Sequence, residues 1–167
     1  YSVGKAQQTK LATMEAMWHT EPAPAPFNLI ASINEKEQKN NWELQIPYAM
    51  GIIGTRSFDT EIPGIHEIKE INRERIITGI TAVTLLEQLR QDTGNMALRD
   101  EFDKVKDDLG FGLLLKKYTA DISQATPEMV QKATDDTIPR VAPMFWSFRI
   151  MVGLGFLMLA LFAVSLW

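Results

Sequence analysis

Four residues in two short stretches of the sequence could do chemistry: Lys10 and Glu15 near its start, and Arg149 and Met151 near its end. Lys10 and Glu15 are five residues apart, which on a helix places them about 140° apart around the axis, so they do not form a helical ion pair. They are either two solvated charges on a surface helix or two groups that face a pocket beside a membrane. In such a pocket the lysine could hydrogen-bond a carbonyl oxygen and the carboxylate could accept a proton.

Arg149 is the single charge in the apolar run from Val141 to Trp167. A guanidinium near the end of a span can extend to the interface, but an intramembrane charge also suggests a functional site with an anionic partner, such as a haem propionate. Met151 is ordinarily an apolar residue of a span, but its thioether can ligate haem iron. Gly155, one turn further, leaves space for a flat ring or a neighbouring helix.

The run that carries Arg149 and Met151 predicts a membrane-spanning helix over residues 141–167, since about 20 apolar residues cross the hydrocarbon core of a bilayer. The sequence before it is polar and rich in loops, and we expect a mainly α chain with an extramembrane helical region followed by one transmembrane helix. The net charge of −4 argues against nucleic acid as a partner. An acidic loop beside a span favours the non-cytoplasmic side. The absence of cysteine excludes disulfides and thiolate sites, and the start at Tyr1 suggests a fragment of a longer protein.

Helical periodicity, prolines and glycines divide the region before the span. We expect helices at 4–18 and 66–91, a third from Met96 that Gly110-Phe111-Gly112 interrupts, and a fourth that begins after Thr126 and ends before Pro139. The other segments are expected to be an extended proline strap at 21–26, an extended apolar segment at 27–33, a solvated turn at 34–41 and a buried irregular or short-strand segment at 42–53.

Other common catalytic patterns are missing from the sequence. It contains no phosphate-binding loop, no metal-ligand spacing and no nucleophilic triad. His19 and His66 are far apart in the chain, and each is interpreted as an exposed or locally satisfied side chain, with a role as ligand or proton carrier as the alternative.

Six stretches resemble subunit I of the cytochrome bd ubiquinol oxidases, and the likeness covers nearly the whole chain. They are GKAQQTKLATMEAMW, EPAPAPF, IPYAMGIIGTRS, LLEQLR, DLGFGLLLKKYT and IPRVAPMFWSFRIM. The resemblance implies a helix entering the quinol-oxidising Q-loop at 1–20, the long form of that loop at 21–140 and a transmembrane helix at 141–167. It also implies a multi-pass protein of the bacterial inner membrane, with residues 1–140 mostly on the periplasmic side.

The resemblance implies roles for the four residues as well. By position, Lys10 and Glu15 match residues that bind and oxidise quinol, Met151 matches the axial ligand of the haem b558 iron, and Arg149 matches an arginine near that haem. The second ligand of haem b558 and the ligands of haems b595 and d are expected outside this fragment, which alone is not expected to be active.

The implied function is that of a terminal respiratory oxidase. Such an enzyme oxidises ubiquinol at the outer face, passes electrons through haem b558 to the haems that reduce oxygen to water, and generates proton motive force. The implied partners are ubiquinol or menaquinol, subunit II of the oxidase and membrane lipid. The alternative is a non-enzymatic, tail-anchored helical interaction protein, which would explain the apolar end and the amphipathic helices without a cofactor.

Overall fold

The computed structural model describes residues 7–50, 59 and 61–167, and this part of the chain is mainly helical, as expected from the sequence. Its elements in chain order are α1 (Gln8–Glu15), β1 (Phe27–Asn34), β2 (Lys39–Ile46), α2 (Ile65–Gln91), α3 (Met96–Val105), α4 (Leu109–Leu113), α5 (Pro127–Asp136) and α6 (Val141–Leu166). These elements form two compact units, one from residues up to 68 together with 138–167, and the other from 69–137.

In the first unit, α1 is shorter than the helix expected at 4–18. It ends at Glu15 because Ala16 takes a left-handed conformation with φ of 50°. The N–H of Met17 then donates to the carbonyl of Ala12 at 2.9 Å, a bond typical of the Schellman helix end. The chain therefore changes direction after α1. Met17 lies beside the start of α2, where the N–H of Ile65 donates to the Met17 carbonyl at 2.8 Å. Residues 4–6 lie outside the described part.

The antiparallel hairpin of β1 and β2 follows α1. The extended segment expected at 27–33 is confirmed as β1, but the turn expected at 34–41 is shorter, because β2 already begins at Lys39. The expected burial of 42–53 is wrong for β2, whose Trp42, Leu44 and Ile46 are exposed. Met50 is buried as expected, and residues 51–53 lie outside the described part.

The second unit follows the helical pattern of the sequence closely. Most of α2 belongs to it, and the helix ends at Gln91 as expected. The Asn95 side chain accepts a hydrogen bond from the N–H of Leu98 at 3.2 Å and so caps α3. In α5, Thr126 is the N-cap and Pro127 takes the first position, and the helix ends before Pro139, both as expected.

One expectation for the second unit is wrong. Gly110-Phe111-Gly112 does not interrupt α3, which ends earlier at Val105 and is followed by a 3-10 turn. The two glycines instead lie inside α4, where Gly112 packs against Gly79 of α2. A Cβ on either of these two would lie within 2.3 Å of the other's backbone. The close approach of α2 and α4 thus requires glycine at both position 79 and position 112.

α6 is the helix expected at 141–167. It is long and apolar enough to cross a membrane, and no other helix in the described part of the chain is. Val141 and Phe145 in its first two turns are buried in the core of the first unit, whereas the large apolar side chains from Ile150 onward are exposed. The start of α6 therefore packs against the loop region, and the remainder is left uncovered by the described chain.

Candidate functional site at the start of α6

The end of α1 meets α6 through a buried ion pair between Glu15 and Arg149. The two side chains are 1% and 8% exposed, and the guanidinium Nη2 lies 2.7 Å from Glu15 Oε2. Nη1 also donates to Oε1 at 3.3 Å, so the carboxylate is held at both oxygens. This fork-to-fork geometry is a strong form of charge-assisted hydrogen bond. The sequence suggests an anion such as a haem propionate as the partner of Arg149, whereas within the described chain its anionic partner is the Glu15 carboxylate.

Backbone carbonyls complete the surroundings of Arg149. Its Nε donates to the carbonyl of Asn28 at 2.8 Å, Nη2 donates to that same oxygen, and Nη1 donates to the carbonyl of Met14 at 3.2 Å. All five N–H donors of the guanidinium therefore have acceptors. The ring centroids of Phe27 and Phe145 lie 4.4 and 4.3 Å from the guanidinium carbon. At these distances, cation–π attraction further stabilises the buried Arg149 charge.

Asn28 also holds Glu15 directly. Its backbone N–H donates to Glu15 Oε2 at 3.3 Å, and its side-chain amide donates to the Glu15 backbone carbonyl at 2.7 Å. Asn28 is at the start of β1, so the hairpin is tied to both members of the ion pair. The sequence gives no sign of this role, because two of the contacts use backbone atoms that any residue could provide.

The environment gives Glu15 an unusual protonation equilibrium. Burial raises the pKa of Glu15 from 4.5 to about 7, although the hydrogen bond and charge of Arg149 and the backbone N–H of Asn28 all favour the ionised form. A carboxyl whose pKa lies near neutrality changes its protonation state readily at physiological pH. This is the property required of a group that accepts and releases a proton during a reaction.

Lys10 lies on the same helix as Glu15 but in a different environment. Its side chain is exposed, whereas Glu15 is buried. Lys10 and Glu15, which ideal helix geometry places about 140° apart around the axis, therefore lie in different environments within the described chain.

Met151 follows Arg149 by two residues and therefore points to nearly the opposite side of α6, about 200° around the axis. Its side chain is 61% exposed. A Cβ built on Gly155, one turn further on the same side, would meet no atom within 4 Å. The structure thus places Arg149 against the loop and leaves Met151 on an open face of the helix.

Glu35, in the turn of the hairpin, makes a contact with α6 that sequence reasoning missed. Its Oε1 accepts a hydrogen bond from the N–H of Ala142 at 2.8 Å. Arg140, the residue at the N-cap position, makes no side-chain bond of this kind. A carboxylate at a helix N-terminus is stabilised by the free N–H groups and the helix dipole. The contact joins residues 107 positions apart, so no local sequence pattern could reveal it.

His19 and His66 are brought together although the sequence separates them. Their rings stack with centroids 4.7 Å apart, and His19 Nδ1 lies 3.9 Å from a carboxylate oxygen of Glu67. The backbone pairing between the end of α1 and the start of α2 accounts for this contact, since the N–H of His66 donates to the carbonyl of Trp18.

The whole chain, residues 1–167, matches the family described as Cytochrome bd terminal oxidase subunit I. The chain belongs to this family. It is also 39% identical over 166 residues to the cytochrome bd-II ubiquinol oxidase subunit 1 of Escherichia coli (strain K12), a match that covers 99% of this chain and 32% of that protein. The cytochrome bd ubiquinol oxidase subunit 1 of Bacillus subtilis (strain 168) is 24% identical over 163 residues, covering 98% of this chain and 23% of that protein.

The chain thus spans a third or less of the length of these cytochrome bd relatives. A cytochrome family implies a haem, and the open face of α6 can be tested for its fit to one. Met151 offers a soft thioether ligand, and the free space beside Gly155 leaves room for a flat ring. No group of three or more His, Cys, Asp or Glu residues that could hold a metal ion occurs in the described part of the chain. The exposed thioether of Met151 and the open space beside Gly155 are compatible with one side of a haem site.

Proposed function

We propose that this chain is the quinol-oxidising part of subunit I of a cytochrome bd ubiquinol oxidase, with Glu15 as the proton acceptor. The observation that carries the proposal is the buried Glu15–Arg149 pair, which joins the loop region to the helix that could cross the membrane. The names of the relatives support ubiquinol as the substrate class, with menaquinol as the related alternative.

Oxidation of a quinol releases two protons and two electrons, so the site needs a base for the hydroxyl protons. Glu15 is suited to this task because its pKa of about 7 allows the carboxylate to take a proton near neutral pH and to release it again. The carboxylate is shielded from solvent in this structure. The proposal therefore requires α1 or the hairpin to shift when the quinol docks, as loops commonly do around a substrate.

Arg149 is proposed to tune Glu15. Its charge keeps the pKa of the buried carboxyl from rising further, so that the ionised form is still populated near neutral pH. When Glu15 takes a proton, the guanidinium loses one charged acceptor but keeps the carbonyls of Asn28 and Met14. Lys10, exposed on the same helix, is proposed to hydrogen-bond an oxygen of the quinol ring.

If haem b558 is held on the open face of α6, Met151 would supply a thioether ligand to its iron, and Arg149 would lie within one turn of it on the packed face. A haem held there would supply one-electron transfer, linking quinol oxidation to the reduction of oxygen to water at haems b595 and d. α6 separates the two functions by its geometry: its buried face holds the proton acceptor, and its open face presents the thioether. Residues 1–140 are proposed to lie mostly on the periplasmic side, where released protons add to the proton motive force, and subunit II is the expected partner.

The proposal can be tested in the complete oxidase with Glu15→Gln, which removes the proton acceptor but keeps the size of the side chain, and with Lys10→Ala. We expect both variants to lose quinol oxidation while retaining oxygen consumption with an artificial electron donor that bypasses the loop. Lys132→Ala, which changes an exposed lysine of the second unit, serves as the matched control and should behave as the wild type. Equal loss with both donors would show that the substitutions damage folding and would contradict the proposed role.

A further inference from the structure

One side of the β1–β2 hairpin is apolar and exposed. Trp42, Leu44 and Ile46 alternate along β2, so their side chains share one face of the sheet, and they are 57%, 53% and 45% exposed. Ile30, the cross-strand partner of Leu44, is 39% exposed. We call these four residues the outer face of the hairpin. A cluster of this size on a small sheet indicates that something covers it in the complete protein.

The opposite, inner face of the hairpin carries side chains that are either polar or packed on the core of the first unit. Asn40 donates to the carbonyl of Ala16 at 3.0 Å and to Glu43 Oε2 at 2.7 Å, and Gln45 donates to Glu43 Oε1 at 2.9 Å. Ala31, the partner of Glu43 across the sheet, is buried. The hairpin is therefore amphipathic: its inner face is polar and is held against the first unit at Asn40 and Ala31, with Glu43 still exposed, and its outer face is apolar and open.

The outer face continues onto the start of α6. A groove of about 400 Å³ lies between them and is lined by Ile30, Ala31, Ser32, Ile33, Trp42, Ala142 and Trp146. The bond from the N–H of Ala142 to Glu35 fixes the hairpin beside the first turn of α6. If α6 crosses the membrane, the hairpin lies at the level where this helix enters the bilayer.

We propose that the outer face of the hairpin lies on the lipid headgroup layer around the entry point of α6. Tryptophan is enriched at this level of a membrane because its ring is apolar and its N–H can reach water, and the outer face and the groove contribute Trp42 and Trp146. The continuity of the apolar surface from β2 to a membrane-spanning helix favours lipid over another protein as the covering partner. Contact with lipid would hold β1, and with it Asn28, at a fixed depth beside Arg149.

The inference can be tested in the complete oxidase reconstituted into nanodiscs of phosphatidylcholine and phosphatidylglycerol. A fluorescent label is attached to the variants Trp42→Cys and Leu44→Cys, in a background without other reactive thiols, and quenched with lipids that carry a nitroxide at the headgroup. Glu43→Cys is the matched control, since Glu43 is the neighbour of both residues but contacts the polar side chains of Asn40 and Gln45. The labelled variants must first retain the thermal stability of the wild-type complex.

We expect quenching by the nitroxide lipid to be several-fold stronger at positions 42 and 44 than at position 43, and quenching by aqueous iodide to show the reverse order. Strong iodide quenching at all three positions would overturn the proposal, because the outer face would then be open to water. Weak quenching by both reagents at 42 and 44 would also overturn it and would indicate cover by another protein. The result does not depend on quinol chemistry, so it is distinguishable from a failure of the proposed function.

Discussion

The two faces of α6 contrast sharply, although they belong to the same helix. One face carries Val141, Phe145 and Arg149 at intervals of four residues and is packed against α1 and the hairpin. The other carries Met151 and Gly155 and is open in the described chain. The packed face is completed by this stretch of sequence, whereas the open face has no cover within the described chain. Under the proposed function, this one span would keep the proton acceptor and the haem ligand on opposite faces.

The open face is tested most severely by Met151→Leu, which keeps the volume and removes the thioether. If Met151 ligates haem b558, the visible absorption band of that low-spin haem in the complete complex is expected to be lost or strongly altered. Met158→Leu is the matched control, since Met158 is also exposed on α6. An unchanged spectrum in Met151→Leu, or the same change in the control, would contradict the assignment.

The packed face is tested by Arg149→Met, which leaves Glu15 buried without its partner. Removal of one member of a buried ion pair typically lowers the free energy of unfolding by about 3–5 kcal/mol, so the thermal stability of the complex should fall. Arg149 normally lowers the pKa of Glu15, and its loss should raise this pKa above about 7. Quinol oxidation by any folded variant should then require higher pH.

The control for this test is Arg140→Met, which changes an exposed arginine just before α6. Substitutions at such surface positions usually alter stability by no more than about 0.5 kcal/mol. If both arginine variants have similar stability and the same pH dependence, the ion pair is not what holds the packed face together.

A smaller effect is expected from the hairpin contact. Glu35→Ala removes the acceptor for the N–H of Ala142, and loss of a helix N-terminal cap typically costs about 1 kcal/mol. Glu35→Gln keeps an acceptor oxygen and should restore most of the stability in thermal unfolding. Glu37→Ala is a suitable control, because the Glu37 side chain pairs with the exposed Lys39, and the hydrogen bond from its backbone N–H to Asn34 survives the substitution. A Glu35→Ala variant as stable as Glu37→Ala would show that this bond does not hold the hairpin in place.

The same contrast explains how much the sequence could predict. The helices α2, α5 and α6 and the cap at Thr126 follow from local periodicity and propensity, and these predictions are confirmed. The packed site depends instead on contacts between distant residues. The partner of Arg149 is 134 residues away, and the carbonyls of Asn28 and Met14 are backbone groups that leave no trace in residue type.

Two predictions from the sequence are wrong for the same reason, since both features depend on contacts between distant residues. β2 was expected to be buried because it is apolar, but tertiary packing uses the other side of the hairpin and leaves Trp42 and Leu44 exposed. Gly110 and Gly112 predicted a break in a helix, but their small size serves the close approach to Gly79. The roles of Lys10, Glu15, Arg149 and Met151 come from the family resemblance and stay predictions.

The central claim is that Glu15 accepts the quinol proton, and the pH dependence of kcat/KM for quinol oxidation tests it most directly. A base must be ionised to act, so kcat/KM of the wild-type oxidase should fall about tenfold per pH unit below about pH 7 and level off above it. In Glu15→Gln the remaining activity should be low and should lack this step. A Glu15→Gln variant that keeps wild-type activity and the same step near pH 7 would contradict the account.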